Sequence, residues 1–464
     1  CPRRGGKQHH VINMSSDLLK NLNDEQKAAV VHSKGPLLII AGAGTGKTTV
    51  ITSKIAYLIK EKLAEPHEIL ALTFTDKAAE EMEERVDKLL PYGVFDKWIS
   101  TFHSFADRIL QSHALDIGIS PDYRLIDSTE SWLTLRKNLY RLDLNYYRPK
   151  GNPTQFLHAL LKLFSRLKDE NISVEEYLTY AENLAADMDN TMAEESVESE
   201  ASRIRETARL YYQYQQLLLD HNFLDFGDLI FYVNKLFVQR PHILQKYQNQ
   251  FKYILIDEFQ DTNFAQYNLI KLLCSPSTQL TVVGDDDQAI YKFRGASVSN
   301  ILNFKKDFPD GGEIVLTRNY RSTQDILDCA YTFIQNNNPD RLEYQLNNPD
   351  AYYREQAPIT IEKINKKLIA QTDLSSTIQF VSLQTEREEV AFVIAKIKEL
   401  IGHSSVSLND IAILVRANRG ADPFKQALER ERLPYVYLAN TGLYKQPFIL
   451  DIIAYMRILF DPHD

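Results

Sequence analysis

The stretch Ala41-Gly-Ala-Gly-Thr-Gly-Lys-Thr-Thr49 constrains this chain more than any other. An apolar run, Leu37-Leu-Ile-Ile40, leads into it, and a helical pattern through Val50, Ile51, Ile55, Ala56, Leu58 and Ile59 leads out. A buried strand, a glycine-rich turn and a helix form, in that order, the setting of a phosphate-binding loop. Glycines let successive backbone N–H groups curl round phosphate oxygens, and the helix N-terminus adds partial positive charge. The spacing predicts a nucleoside triphosphate cradled by Ala41, Gly42, Ala43, Gly44, Thr45, Gly46, Lys47, Thr48 and Thr49. Lys47 is expected at the β/γ-phosphates and the Thr48 hydroxyl on Mg²⁺. Ala41 stands where the pattern G-x-x-x-x-G-K-[ST] opens with glycine, while Gly42, Gly44 and Gly46 keep the loop permissive.

With 464 residues the chain has room for about two to four domains. Its 44% hydrophobic and 25% charged residues fit a soluble globular protein, no apolar run approaches a membrane span and no signal peptide is visible, so a cytoplasmic location is expected. Cys1, Cys274 and Cys329 make no metal-like or disulfide framework. Residues 1–14 read as a tag or leader, with Met14 a plausible native start. The net charge of −9 argues against coating nucleic acid by charge alone but leaves room for a local groove. Acid is concentrated between Glu182 and Glu200, a run without Lys or Arg that reads as a solvated or mobile loop.

In chain order, Leu18 to Val31 is helical by periodicity, with Asn23 or Asp24 as a cap. Gln26, just upstream of the loop, could offer adenine a donor and an acceptor from one amide. Buried-strand patterns follow at Glu68–Phe74 and Trp98–Thr101, separated by a helix over Asp76–Val86. Alternation of this kind implies an α/β fold with a parallel sheet, whose ligands collect at the carboxyl ends of the strands. Phe74, Thr75, Thr101 and His103 fall there. Residues 115–223 lack convincing strands and read as a helical insertion. The strand Tyr253–Ile256 then ends in Asp257-Glu258, adjacent carboxylates that are costly at a buried strand tip unless they meet a cation or a donor. Asp257 is expected in the Mg²⁺ shell, and Glu258 as the group that orients or deprotonates water. Leu280–Val283 leads to Gln288, suited to sensing a γ-phosphate, and to Tyr291, Phe293 and Arg294, which have the composition of a single-strand stacking platform. Aromatics at that spacing also serve as core packing. A second α/β unit is expected from residue 313, with strands at Ile314–Thr317, Thr377–Leu383, Ile411–Val415 and Tyr435–Leu438. Its helices are expected at Glu386–Ile401, Phe424–Arg430 and Pro447–Phe460, and Asn336–Pro358 reads as loop.

Leu22-Asn-Asp-Glu-Gln26, the glycine-rich loop, Thr73-Phe-Thr-Asp-Lys-Ala-Ala79, Ser100-Thr-Phe-His-Ser104, Asp225-Phe-Gly-Asp228, Asp257-Glu-Phe-Gln-Asp-Thr262, Gly284-Asp-Asp-Asp-Gln288 and Asn319-Tyr-Arg-Ser322 occur in this order. Together they resemble the superfamily 1 DNA helicases of the UvrD/Rep/PcrA type. The resemblance implies RecA-like lobes with ATP and Mg²⁺ in the cleft, and 3′→5′ movement on single-stranded DNA from single-strand/double-strand junctions, in DNA repair or replication. It implies Gln26 as adenine reader, Tyr320 stacking on the base and Arg321 as an arginine finger from the second lobe. Phe74, Thr75, Thr101, His103, Tyr291, Phe293 and Arg294 would then line the DNA track. Residues 15–114 and 224–312 correspond to the first lobe (1A), 115–223 to the helical 1B subdomain, and 313–464 to the first part of the second lobe (2A).

Three departures from the family pattern stand out. Thr49 takes the place of a base-packing Arg, and Phe293 that of a Trp. The chain also stops where the 2B subdomain would begin, so it is expected to be a fragment of a longer helicase, binding nucleotide but deficient in unwinding by itself. A P-loop NTPase without helicase activity, or a nucleotide-dependent DNA-binding module, would share the Lys47, Asp257 and Glu258 constellation.

Overall fold

Leu37–Ala41 forms β1, and its side chains alternate between two cores. Leu38 and Ile40 face one of them, and Leu37, Ile39 and Ala41 the other. The same division runs through Leu70/Leu72 against Ile69/Ala71 of β2 (Ile69–Thr73) and Ile254/Ile256 against Tyr253/Leu255 of β6 (Tyr253–Ile256). A strand apolar on both faces has no amphipathic alternation and must be covered by helices on both sides. The sheet that results is parallel throughout the pairs it contains and ordered β3-β2-β6-β7-β1-β8, with β3 at Trp98–Thr101, β7 at Gln279–Gly284 and β8 at Gly312–Leu316.

The structure is a computed structural model and describes residues 18–90, 97–189, 195–289, 299–348, 364–403, 406–438 and 447–460. The chain divides into two compact units, Cys1–Thr377 and Ile378–Asp464. In the first, α1 (Asp24–Val31), α2 (Lys47–Lys60) and α3 (Asp76–Leu89) supply one face of the sheet. The other face carries α4 (Phe102–His113) and, beyond the insertion, α9 (Phe226–Gln239), α10 (Pro241–Gln250), α11 (Phe264–Leu273) and α12 (Ser299–Asp307). The insertion has a core of its own around Leu135, Leu160, Phe164, Tyr211 and Tyr214, built by α5 (Ser128–Asn138), α6 (Leu157–Asp169), α7 (Val174–Asp189) and α8 (Glu195–Asp220). The unit closes with β9 (Arg318–Asn319), α13 (Gln324–Ile334), α14 (Leu342–Asn347) and β10 (Ile369–Ala370).

Several expectations need correction. Leu18 and Leu19 are helical as expected, but the helix does not run unbroken to Val31: it is interrupted over residues 20–23, and α1 starts afresh at Asp24, where the Asn23 side chain accepts the Gln26 N–H. The insertion is not wholly helical. Its ends are tied by β4 (Arg124–Ile126) and β5 (Phe223–Asp225), a pair too short to leave a periodic signal. The acidic run is not loop where it is described, since α7 extends to Asp189 and α8 begins at Glu195. Within Asn336–Pro358, α14 forms on its buried Leu342 and Leu346. The strand expected to open a second α/β unit is instead β8, held in register with β1 from Leu37↔Gly312 to Ala41↔Leu316.

The second unit holds α15 (Glu386–His403), α16 (Asp422–Arg430) and α17 (Pro447–Phe460), close to the helices expected there. Val390, Ile394 and Ile397 of α15 recur at helical spacing and pack on Phe424 and Leu428 of α16. The runs 377–383, 411–415 and 435–438 are neither helix nor strand, and none pairs with a partner strand among the described residues. Phe380 and Leu414 are accordingly 95% and 94% exposed. No described helix is long and apolar enough to cross a membrane, and Cys274 and Cys329 are both free.

Candidate active site

The glycine-rich loop joins the carboxyl end of β1 to α2. Ala41 is the last residue of β1, extended and in register with Leu316, so the glycine of the general pattern has no work to do there. Gly44 and Gly46 do need to be glycine, lying at φ +76° and +88° in the left-handed region. The buried Thr45 hydroxyl donates to the Gly42 carbonyl at 2.8 Å and braces the turn.

Lys47 opens α2, and its ammonium meets two side chains from the ends of neighbouring strands. It lies 2.8 Å from Glu258 Oε2, beyond β6, and donates to Gln288 Oε1 at 3.2 Å, beyond β7. Three side chains far apart in sequence thus converge because β6, β7 and β1 are adjacent in the sheet. Glu258 holds a left-handed backbone at φ +50°, a strained conformation that persists where the surroundings enforce it. Gln260 Nε2 donates to Glu258 Oε2 at 2.6 Å while Gln260 Oε1 accepts the Asp285 N–H at 3.0 Å, so one amide fixes the carboxylate and the loop beyond β7.

Asp257 is buried, and among the described residues its carboxylate receives one hydrogen bond, from the Glu258 N–H at 2.9 Å. Burial and the neighbouring Glu258 charge push its pKa up to about 6, with Lys47 opposing. Burial and Glu258 likewise push Asp261 up to about 6. Two buried oxygens at this end of the sheet, Thr73 Oγ1 and Asp261 Oδ1, have no hydrogen-bond partner among the described residues. Under-solvated carboxylates beside orphaned oxygens suit a hard divalent cation.

Around the loop mouth, Asn23 fastens two expected base-binding residues together. It exchanges hydrogen bonds with Gln26 (Gln26 N to Asn23 Oδ1 2.8 Å, Asn23 N to Gln26 Oε1 3.1 Å) and donates through Nδ2 to the Tyr320 hydroxyl at 2.9 Å. Gln26 Nε2 donates to the Thr45 carbonyl at 2.9 Å, so this amide is engaged in the loop itself. Tyr320 N–H donates to the Gly44 carbonyl at 2.9 Å, and Asn319 Nδ2 donates to the Ala43 carbonyl at 2.6 Å. Asn319 Oδ1 also accepts the Arg321 and Ser322 N–H groups, which turns the chain so that Arg321 stands over Gly44. The Arg321 guanidinium makes no ion pair among the described residues. Thr49 is exposed on α2.

Of the expected DNA-track residues, Thr75 and Thr101 accept the Ala78 and Ser104 N–H groups as helix caps, each at 3.2 Å. Thr101 sits level with Thr73 across β2 and β3, which puts half-buried Phe74 and His103 at the same sheet end. Burial pushes the His103 imidazole pKa down, with Asp76 opposing. Its ring lies edge-on to Phe226 at 6.0 Å. Phe226 is an exposed aromatic that motif reading left without a role, although its position at the head of α9 after the capping Asp225 was the signal available. Asn23 is legible in the sequence only as a cap, and Gln260 and Asn319 only as motif members; their importance lies in contacts that carry no local signal. Tyr291, Phe293 and Arg294 lie outside the described residues.

Comparison with known proteins agrees with this geometry. The UvrD/REP helicase N-terminal domain family matches residues 22–309, and the UvrD-like helicase C-terminal domain family matches residues 314–464. The "ATP-dependent DNA helicase PcrA" of Leuconostoc citreum is 36% identical over 97% of this chain and 54% of its own length. The "DNA helicase II" of Rickettsia typhi is 38% identical over 97% of this chain and 62% of its own length. The "ATP-dependent DNA helicase PcrA" of Staphylococcus aureus strain Mu50 is 37% identical over 96% of this chain and 55% of its own length. The chain therefore spans between about half and three fifths of the curated relatives it matches, and it belongs to the UvrD/REP helicase family.

Proposed function

We propose that this chain carries the ATP-hydrolysing and single-strand-tracking core of a 3′→5′ DNA helicase. The observation that carries the reading is the convergence of Lys47, Glu258 and Gln288 at the carboxyl ends of three adjacent strands. Lys47 binds the β/γ-phosphate oxygens. Glu258 orients the attacking water and takes its proton as the bond from γ-phosphorus to the bridging oxygen breaks, leaving ADP and phosphate. Gln288 registers the γ-phosphate, and Arg321 adds positive charge where negative charge builds up in the transition state. Thr48 and Asp257 would hold Mg²⁺, which would neutralise charge on the phosphate oxygens. Gln26 and Tyr320, joined through Asn23, take the adenine, and Thr49 leaves one side of that grip light.

Phe74, Thr75, Thr101 and His103, extended by Tyr291, Phe293 and Arg294, form the single-strand track. Phe74, His103 and the adjoining Phe226 support this assignment by placing aromatic rings at one sheet end. A P-loop NTPase acting on another substrate has no use for them. In this reading residues 115–223 act as the 1B subdomain, and the second unit belongs to 2A. Duplex junctions and a cytoplasmic, nucleoid-associated location follow from the same reading.

Phosphate release measured with and without single-stranded DNA tests the proposal, together with unwinding of a 3′-tailed duplex. DNA should stimulate hydrolysis, and the chain by itself should unwind poorly. Absence of stimulation counts against a helicase, and robust unwinding by these 464 residues removes the expected deficiency.

A further inference from the structure

Asp285, Asp286 and Asp287 follow β7 and bring three carboxylates close enough together to chelate a cation. A lysine fills that position. Lys366 Nζ lies 2.6 Å from Asp285 Oδ1 and 2.7 Å from Asp287 Oδ2, and it also pairs with Asp286. Lys366 is only 6% exposed. Burial works against its charge, but the three carboxylates outweigh it and hold the pKa above the ordinary lysine value. Arg341 completes the cluster with a two-pronged contact to Asp287, Nε to Oδ1 at 2.7 Å and Nη2 to Oδ2 at 2.6 Å. The Leu342 N–H donates to Asp286 Oδ2 at 2.7 Å.

The two oxygens of Asp285 divide their work. Oδ1 faces Lys366, while Oδ2 accepts from Gln288 Nε2 at 2.8 Å. That contact settles which end of the Gln288 amide points where. With Nε2 committed to Asp285, Oε1 is left facing Lys47 at 3.2 Å, and the second Nε2 hydrogen has no partner among the described residues and can meet a phosphate oxygen. A line of direct contacts therefore runs from Lys366 through Asp285 and Gln288 to Lys47. The segment that carries Lys366 touches the rest of the site as well. A Cβ on Gly42 would lie 2.9 Å from Leu368 Cδ1, and Ile369–Ala370 pair with Arg318–Asn319, immediately before Tyr320 and Arg321.

We propose that Lys366 is a positioning residue of the triphosphate site. By pairing with Asp285 it fixes the Gln288 amide facing the γ-phosphate, and the strap Ile364–Ala370 links that sensor to the strand that delivers Arg321. The proposal rests on the reading of Lys47 and Gln288 as the γ-phosphate end of a nucleotide site.

The test is a titration of the whole chain with fluorescent ADP and with a non-hydrolysable ATP analogue, both with Mg²⁺, for wild type, Q288A, K366M, K366R and Q288A/K366M. The readout is the ratio of the two affinities, which a merely structural role would not move. K366M should narrow the ratio on the order of tenfold, as Q288A does, with ADP affinity within about twofold of wild type. The double variant should be no worse than Q288A, and K366R should restore much of the ratio. Thermal unfolding accompanies each variant. Should K366M fail to fold, K366M/D286N, which removes one charge of each sign, carries the measurement, and failure of both to fold assigns the lysine to stability and overturns the proposal. Additive losses, or equal losses for ADP and the analogue, also overturn it. A ratio lowered by Q288A and untouched by K366M defeats this proposal alone, whereas a ratio that Q288A does not change defeats the reading of Gln288 and this proposal with it.

Discussion

Lys47 Nζ and Glu258 Oε2 are 2.8 Å apart, so the cation proposed to bind phosphate and the carboxylate proposed to orient water form one ion pair. Nucleotide phosphates entering the loop must compete with Glu258 for that ammonium. Glu258→Gln removes the competing charge and the base together. ATP affinity should hold or tighten, while phosphate release falls by about a hundredfold or more. Lys47→Ala should instead lose affinity. Equilibrium nucleotide binding beside a phosphate-release assay separates the two, and parallel losses of both quantities in E258Q would refute the assignment.

Gly44 offers a sharper test of how residues 319–321 dock on the loop. A Cβ there would lie 2.7 Å from both Arg321 Cβ and Asn319 Nδ2, on a backbone at φ +76°. Gly118 has the same φ with nothing within 4 Å. Gly118→Ala therefore meets only backbone strain, about 1–3 kcal/mol. Gly44→Ala adds a clash, and should cost more in urea unfolding as well as weaken nucleotide binding. Equal costs would mean that Asn319 and Arg321 move aside freely.

How far this arrangement was legible beforehand depended on whether a residue's signal was local. The loop, β6 and its two carboxylates, and the helices of the second unit were legible, since glycine spacing and apolar runs are properties of neighbouring residues. Strand pairing was not. Ile314–Thr317 reads equally well as the start of a new sheet or the edge of an old one, and only its register with β1 decides. Thr377–Leu383 has a strand's composition without a partner. Gln26 and Tyr320 were singled out separately, but their connection is Asn23, whose sequence signal is that of any helix cap.

Lys168 lies within the insertion but serves its junction with the sheet. Its ammonium is buried 2.6 Å from Asp225 Oδ2 and 2.8 Å from Asp228 Oδ1. Burial opposes all three charges. Lys168 nonetheless holds the Asp225 carboxyl below its ordinary range, while burial and the Asp225 charge push Asp228 up. Lys168→Met would strand two carboxylates in the interior, and a loss of about 3–5 kcal/mol is expected on chemical unfolding. Lys168→Met with Asp225→Asn should recover part of it. A loss below about 1 kcal/mol, the range of an exposed pair, would contradict the buried geometry.

Lys54 gives a pH dependence whose sign can be worked out in advance. It sits on α2, 1% exposed, and donates to the Ala29 carbonyl at 2.9 Å and to the His32 carbonyl at the end of α1, with no carboxylate paired to it among the described residues. Burial lowers its pKa from 10.5 to about 7. Between those values the folded chain holds Lys54 neutral while the unfolded chain holds it protonated. The unfolded state then binds the extra proton, so raising the pH favours the fold, and the contribution is lost as pH falls towards 7. Urea unfolding of wild type and Lys54→Met across this window should show their stability difference moving in favour of wild type, by up to about 1.4 kcal/mol per pH unit. Other titrating groups contribute to both proteins and cancel in the difference. A difference that stays flat, or falls with rising pH, would show that Lys54 keeps its proton in the fold.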